Sequence, residues 1–206
     1  GCAHQSALWL DGVEPDNAVD ETLELIRAKG FEHEEVVLKQ LTLTAGAVVE
    51  VPTKEEMDNR IQATLDAIAE GAPLIYQGAL KQAPWIGFPD FLVRKDADGG
   101  AVRYEPEDAK LARKAKAEHV LQLGLYAKLL EAQTGIPVTG GAIHGSSGAP
   151  DVFDLRRTRY TLHRLMQKFE AFADSSARST EPVPCAACSQ CDYKARCDTE
   201  WREADS

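Results

Sequence analysis

The chain has 206 residues, 44% hydrophobic and 27% charged, with a net charge of −10, which is enough for one domain with a real core and a small appendage. It contains neither the run of about 18 apolar residues that a membrane span needs nor a signal-peptide apolar region near its start. The acidic balance excludes the uniformly basic footprint of a nucleic-acid coat, but binding depends on local patches, and basic residues cluster at Arg94, Lys95, Arg113, Lys114 and Lys116 and again at Arg156, Arg157, Arg159, Arg164 and Lys168.

The opening residues, GCAHQSALWLDG, read as the inside of a domain, so further chain is expected upstream. VDETLELIRAKG predicts a short helix capped by Asp20 and ended by Gly30, and FEHEEVVLKQL continues helical with Val37 and Leu41 one turn apart. GAVVEV (46–51) predicts a short strand. EEMDNRIQATLDAIAEG sets Met57, Ile61, Leu65 and Ile68 on one helical face and stops at Gly71. Three strands are predicted next, over 73–80, 85–95 and 101–111, the last two joined by the turn DADGG at 96–100. A strong helix follows over 116–135, with Gly135 and Pro137 as stop signals, then a strand over 138–145 and the loop SSGAPD. The last predicted helix, 157–174, carries Leu162, Leu165, Phe169 and Phe172 on one side, and the linker 175–184 leads into a cysteine-rich segment. A mixed sheet flanked by helices, of the α/β (α+β) class, is the natural packing of this order.

Four of the five cysteines fall at C-x2-C-x2-C-x5-C spacing, at Cys185, Cys188, Cys191 and Cys197, and the fifth is Cys2. A chain of this length does not need disulfide staples, and the tight spacing favours metal ligation in a reducing cytosol, so a cytoplasmic protein is expected. Four thiolates suit either zinc or a [4Fe–4S] cluster. The spacing leaves open whether the segment is a complete knuckle or takes Cys2 as a remote ligand.

The middle of the chain carries a second pattern, GFPDFLVRK followed by YEPEDAKLARK. On a strand alternate side chains share a face, so Asp108 and Lys110 point one way and Ala109 the other. If the hairpin pairs 86–95 with 101–110, Asp90 approaches Asp108 from the neighbouring strand. Two adjacent carboxylates repel unless a hard divalent cation lies between them, and Mg2+ and Mn2+ prefer oxygen ligands. Such a cation polarises a phosphoryl oxygen and acidifies bound water, and a lysine beside it can assist the water and neutralise developing charge. Gln122 and Tyr126, one turn apart on the following helix, share a face.

The ordered set Gly87-x-x-Asp90, Asp108-x-Lys110 and Gln122-x3-Tyr126, preceded by Gly30-x-x-His33-Glu34, resembles the PD-(D/E)XK nuclease superfamily in its RecB-like branch. The resemblance implies a restriction-endonuclease-like core in a single domain over 1–206, with the core at about 20–174. It implies that His33, Asp90, Asp108 and the backbone carbonyl of Ala109 hold Mg2+ or Mn2+, that Lys110 assists the attacking water and that Gln122 orients it, with Tyr126 packing beside it or touching the substrate strand. CRISPR-associated RecB-like exonucleases, AddB-type recombination nucleases and related RecB-family proteins also carry one upstream cysteine and three downstream at C-x2-C-x5-C. Cys2, Cys188, Cys191 and Cys197 fit that pattern. By this resemblance they hold a structural [4Fe–4S] cluster in elements at about 1–10 and 182–202, and Cys185 is left over.

The expected activity is therefore phosphodiester hydrolysis, as an exonuclease on single-stranded DNA ends. Two variants of that reading stay open: the nuclease part of a larger helicase–nuclease, and a nuclease working beside CRISPR or recombination partners. A different class of reading is a nucleic-acid or protein binding module with a nuclease-like fold and a four-cysteine zinc site. Glu34 and Glu107 are expected to be solvated or supporting, Glu105 is an outside candidate ligand, and His4, His119, His144 and His163 are expected to be structural or on the surface. Trp85 and Tyr104 are the candidate aromatics for stacking on single strands.

Overall fold

The computed structural model describes residues 2–16, 21–96, 102–175 and 180–204. The expected cap Asp20, residues 97–100 of the hairpin turn and part of the 175–184 linker lie outside them. The chain divides into two compact units, one formed by Gly1–Arg27 with Arg164–Ser206 and one by Ala28–His163.

Ala28–His163 is built on a six-stranded mixed sheet. Its strands are β1 (Val49–Glu50), β2 (Leu74–Tyr76), β5 (Phe91–Asp96), β6 (Val102–Ala109), β7 (Gly140–His144) and β8 (Asp151–Asp154), in the order β1-β2-β5-β6-β7-β8. The pairs β1–β2 and β6–β7 are parallel and the other three antiparallel. The two intervening strands, β3 (Leu80–Gln82) and β4 (Trp85–Gly87), pair with each other as a separate ribbon.

Two of the predicted strands are therefore split. The segment 73–80 breaks at Gln77, whose φ of 58° is left-handed and cannot continue a pleat. The segment 85–95 breaks at Pro89, which has no N–H to give to a ladder. β8 forms where the pattern predicts no strand, because DVFD offers too short an alternation to register.

The helices α2 (Glu21–Ala45), α3 (Met57–Ala69) and α4 (Ala117–Thr134) follow their expected positions. Gly30 does not end a helix: α2 runs through it, because one interior glycine costs only about 1 kcal/mol against strong helix formers on both sides. Gly135 does end α4, in the left-handed conformation at φ 70°.

Helices cover both faces of the sheet. On one face Leu123, Leu129 and Leu130 of α4 pack with Ile75, Leu92, Tyr104 and Ile143. On the other, Val37 of α2 packs with Leu74 and Phe91. Each fully buried large side chain contributes about 1.5–3 kcal/mol. Because both faces are covered, β6 buries charge on each of them: Asp108 is 1% exposed and Glu107 6%.

The last long helix, α5 (Arg159–Ala173), buries Leu162 and Met166, while Leu165 is 45% exposed. The buried stripe therefore runs one residue off the expected one, with spacing of four from Leu162. Phe169 and Phe172 remain in ring contact at 6.5 Å.

In the other unit, α1 (Ala3–Leu10) and α6 (Lys194–Ala204) bring the chain ends together. Asp16 Oδ2 accepts from Ala195 N–H at the start of α6 (2.7 Å), Tyr193 OH donates to Val13 O (3.1 Å), and buried His4 bonds to Thr180 Oγ1 (3.0 Å). α6 lies inside the cysteine-rich segment and is strongly polar, so no apolar stripe announces it.

Candidate active site and thiol cavity

The β5–β6 ladder pairs Phe91 with Glu107, so Asp90 stands opposite Asp108 at the ladder's end. This is two residues off the register expected from pairing 86–95 with 101–110. An even shift preserves which face each side chain takes, so the two carboxylates still meet. Asp90 N–H donates to Asp108 Oδ1 (3.1 Å), and Ala109 N–H donates to Asp90 Oδ2 (2.8 Å). Lys110 Nζ lies 2.9 Å from Asp108 Oδ2. Oδ2 is buried, and that ammonium is the close polar partner it has among the described residues.

Both carboxyls are held above their ordinary range. For Asp90 the causes are burial, then the charges of Asp108 and Glu34. For Asp108 burial outweighs the opposing pull of Lys110. Burial is thus the main reason both carboxyls resist ionisation, and at Asp90 the neighbouring carboxylates add to it.

Glu34 takes a supporting place beside this site, one of the two places expected for it. Gln77, from its left-handed position, donates through Nε2 to Glu34 Oε1, and its backbone N–H donates to Asp90 O (2.8 Å). Tyr76, also bonded to Glu34, is pushed up to about 12 by burial and by that carboxylate. The one signal for Glu34 in the sequence is its adjacency to His33 on α2.

His33 itself donates from Nε2 to His144 O (2.9 Å), the same carbonyl that accepts Lys110 N–H (2.9 Å). Its Nδ1 is the ring atom left for a ligand role. Gln122 donates from Nε2 to Tyr126 OH (2.7 Å), and Tyr126 is buried with its phenol held upward by burial and by the charges of Asp108 and Asp90. A Cβ at Gly87 would stand 2.7 Å from the Tyr126 ring, so Gly87 is what lets the ring lie there.

Two histidines expected to be structural also bear on the site. His119 accepts Lys116 N–H at Nδ1 (3.3 Å) in the first turn of α4 and is held low by burial and by Lys110. His144 bonds to Glu107 (2.7 Å), which also meets Lys95 (3.1 Å). Burial pushes Glu107 up, but His144 and Lys95 outweigh it and hold the carboxyl below its ordinary value. Glu107 is thus buried and paired on the face of β6 opposite Asp108. Glu105, the outside candidate ligand, lies against Gly140 on that same opposite face and does not join the pair.

In the unit formed by the chain ends, Cys2, Cys188, Cys191 and Cys197 line one largely apolar cavity with Val183, Tyr193 and Trp201. Cys185 is exposed and outside it. The cavity holds about 10 Å³. Burial, Cys191, Glu200, Cys2 and Cys188 together raise the Cys197 thiol. Cys185 instead touches Cys188, sulfur to sulfur at 3.7 Å. Among the described residues no three His, Cys, Asp or Glu side chains are already gathered around a single point as an ion site.

No family model matches this chain, and no curated protein matches it. Among the described residues no helix is long and apolar enough to cross a membrane.

Proposed function

We propose that the chain is a metal-dependent nuclease with a restriction-endonuclease-like core, acting as an exonuclease on single-stranded DNA ends. The observation that carries the reading is the pair Asp90–Asp108: two buried carboxylates side by side, both raised by burial and Asp90 further by the charge of Asp108, with the Lys110 ammonium 2.9 Å from Asp108 Oδ2. A divalent cation fits this donor set. Asp90, Asp108, His33 and the Ala109 carbonyl would hold it, and oxygen-rich sets of this kind suit Mg2+ or Mn2+. When bound, the cation supplies Lewis-acid polarisation of the phosphate and acidification of water.

The chain's own residues do the rest. Lys110, 25% exposed at its side chain, places positive charge against the phosphate as negative charge develops and can donate a hydrogen bond from Nζ to the attacking water. The Gln122 amide is fixed on Tyr126, whose phenol feels the charges of both carboxylates, a place suited to orienting the attacking water. Glu34, held by Gln77 and Tyr76, keeps the electrostatic demand for a cation high at Asp90.

The cavity lined by Cys2, Cys188, Cys191 and Cys197 supports a structural [4Fe–4S] cluster as a clasp between the chain ends. The zinc alternative rests on the Cys185–Cys188 contact. Zn–S bonds of about 2.3 Å set tetrahedral sulfur edges of about 3.8 Å, close to the 3.7 Å observed. The lining of the apolar cavity by Cys2, and not by Cys185, favours the cluster.

The test of the hydrolytic reading is Asp108→Ala and Lys110→Ala assayed with Mn2+ on end-labelled single-stranded DNA. Loss of cutting in both, with folds intact by circular dichroism, is expected. Wild-type rates in either variant reject the assignment.

A further inference from the structure

Phe88 lies in the loop between β4 and β5, two residues before Asp90, and 37% of its surface is exposed. Arg60 of α3 sits over its ring, with the guanidinium carbon 4.9 Å from the centroid. Among the described residues no carboxylate pairs with Arg60, and its buried Nε meets no hydrogen-bond acceptor. The arrangement is a cation without an anionic partner among the described residues, laid on a partly open aromatic ring two residues along the chain from Asp90. Ile86, two residues earlier, is 38% exposed.

The aromatics expected from the sequence do not supply such a surface. Tyr104 is 3% exposed and spends its hydroxyl on Ala72 O (2.7 Å), and Trp85 packs against the core. In the sequence Phe88 reads as part of a continuous strand; the break at Pro89 turns it into a loop residue.

We infer that Phe88 and Arg60 form a stacking site for an unpaired nucleobase of the strand whose phosphate reaches Asp90 and Asp108. The inference rests on the nuclease reading for its substrate class. An aromatic face accepts any base, and an arginine over it adds a cation–π component and a charge for the neighbouring phosphate. A base inside a duplex is already stacked on its neighbours, so this surface discriminates for unpaired ends.

The test is fluorescence-anisotropy binding of a labelled 12-mer oligothymidylate and of a blunt duplex, in Ca2+, to wild-type protein, Phe88→Ala, Phe88→Trp and Arg60→Met, each checked for an unchanged thermal transition. Loss of one stacked base weakens single-strand binding about 5- to 150-fold. Phe88→Ala should lose affinity in that range, Phe88→Trp should retain it, Arg60→Met should lose a smaller factor, and duplex binding should change less than twofold. Equal single-strand affinity for wild type and Phe88→Ala, or no oligothymidylate binding by wild type, overturns the inference. The same proteins assayed with Mn2+ separate the two readings: binding that depends on Phe88 without any cutting removes the nuclease reading and leaves the stacking site standing.

Discussion

The most informative single perturbation is Asp90→Asn. The amide keeps an oxygen to accept Ala109 N–H, now made at 2.8 Å, and the residue's own N–H still reaches Asp108 Oδ1. What it removes is the ionisable group whose charged form burial and the charges of Asp108 and Glu34 disfavour in the fold. The folded Asp90 carboxyl titrates well above its ordinary value of 3.8, so the fold favours the neutral form. Stability is then lost as pH rises from about 4 towards the raised folded value, and it is retained below. Every tenfold weakening of the acid on folding corresponds to about 1.4 kcal/mol. After the lost attraction to Lys110 and relaxation of the pair are allowed for, a net gain of about 2 kcal/mol is expected for Asp90→Asn in EDTA near pH 7.5. In a chain of this size that is a rise of about 4–8 °C in Tm. Millimolar Mn2+ should reverse the order, stabilising wild type and leaving the variant nearly unmoved, since the cation binds only where the charge remains. Denaturant melts at pH 4.5 and 7.5, with and without Mn2+, measure all four quantities. If Asp90→Asn is no more stable than wild type in EDTA at pH 7.5, or if Mn2+ stabilises both equally, the carboxylate pair is not a charge-frustrated cation site.

Three further outcomes concern other parts of the molecule. Gly87→Ala places a methyl 2.7 Å and 2.9 Å from the Tyr126 ring; such overpacking costs about 1–3 kcal/mol, and kcat should fall further than the melting point indicates because Gln122 moves with Tyr126. Glu107→Gln removes the charge that His144 and Lys95 hold below its ordinary value, a contribution present above about pH 4.5 and lost as pH falls through the lowered folded value; the variant should lose about 1–3 kcal/mol at pH 7 and converge on wild type in acid, and a difference that persists there contradicts the pairing. Cys2→Ser should abolish iron retention in anaerobically purified protein while Cys185→Ser leaves it intact; zinc in the wild type together with the opposite ranking selects the Cys185 knuckle.

Much of the fold was legible because it rests on periodicity. α3 and α4 repeat their apolar residues at helical spacing and meet glycines that adopt positive φ at Gly71 and Gly135. The acidic pair was legible because Asp108 and Lys110 sit two apart along one strand and a hairpin register shifted by an even number keeps them facing Asp90. What was not legible depended on non-local geometry. Apart from its adjacency to His33, nothing in the local pattern of α2 distinguishes Glu34, bonded to Gln77, from its exposed neighbour Glu35. Strand breaks at Gln77 and Pro89 split apolar runs that look continuous, and so hid the exposure of Phe88. The place of Cys2 beside Cys188, Cys191 and Cys197 depends on contacts between residues at opposite ends of the chain, such as Tyr193 with Val13, which spacing alone does not encode.

The end of the β5–β6 ladder explains how two like charges are tolerated in a covered sheet at all. Past Phe91 and Glu107 the backbone pairing stops, and the N–H groups of Asp90 and Ala109 are released from ladder duty. Each is given to a carboxylate of the facing strand, Asp90 N–H to Asp108 and Ala109 N–H to Asp90. A buried carboxylate that accepts a backbone N–H is partly relieved, so the reciprocal bonds offset part of the repulsion and fix both side chains in rotamers that face each other. The remaining oxygen, Asp108 Oδ2, lies 2.9 Å from the Lys110 ammonium, which pulls the carboxyl down without offsetting its burial. Glu107, next to it on the opposite face of the same strand, is met by Lys95 and His144 together and is held below its ordinary value. β6 therefore holds its own control: adjacent buried carboxylates, one held low by two partners and the other left high beside one. The contrast argues for Asp108 as the carboxylate whose charge a bound cation would balance.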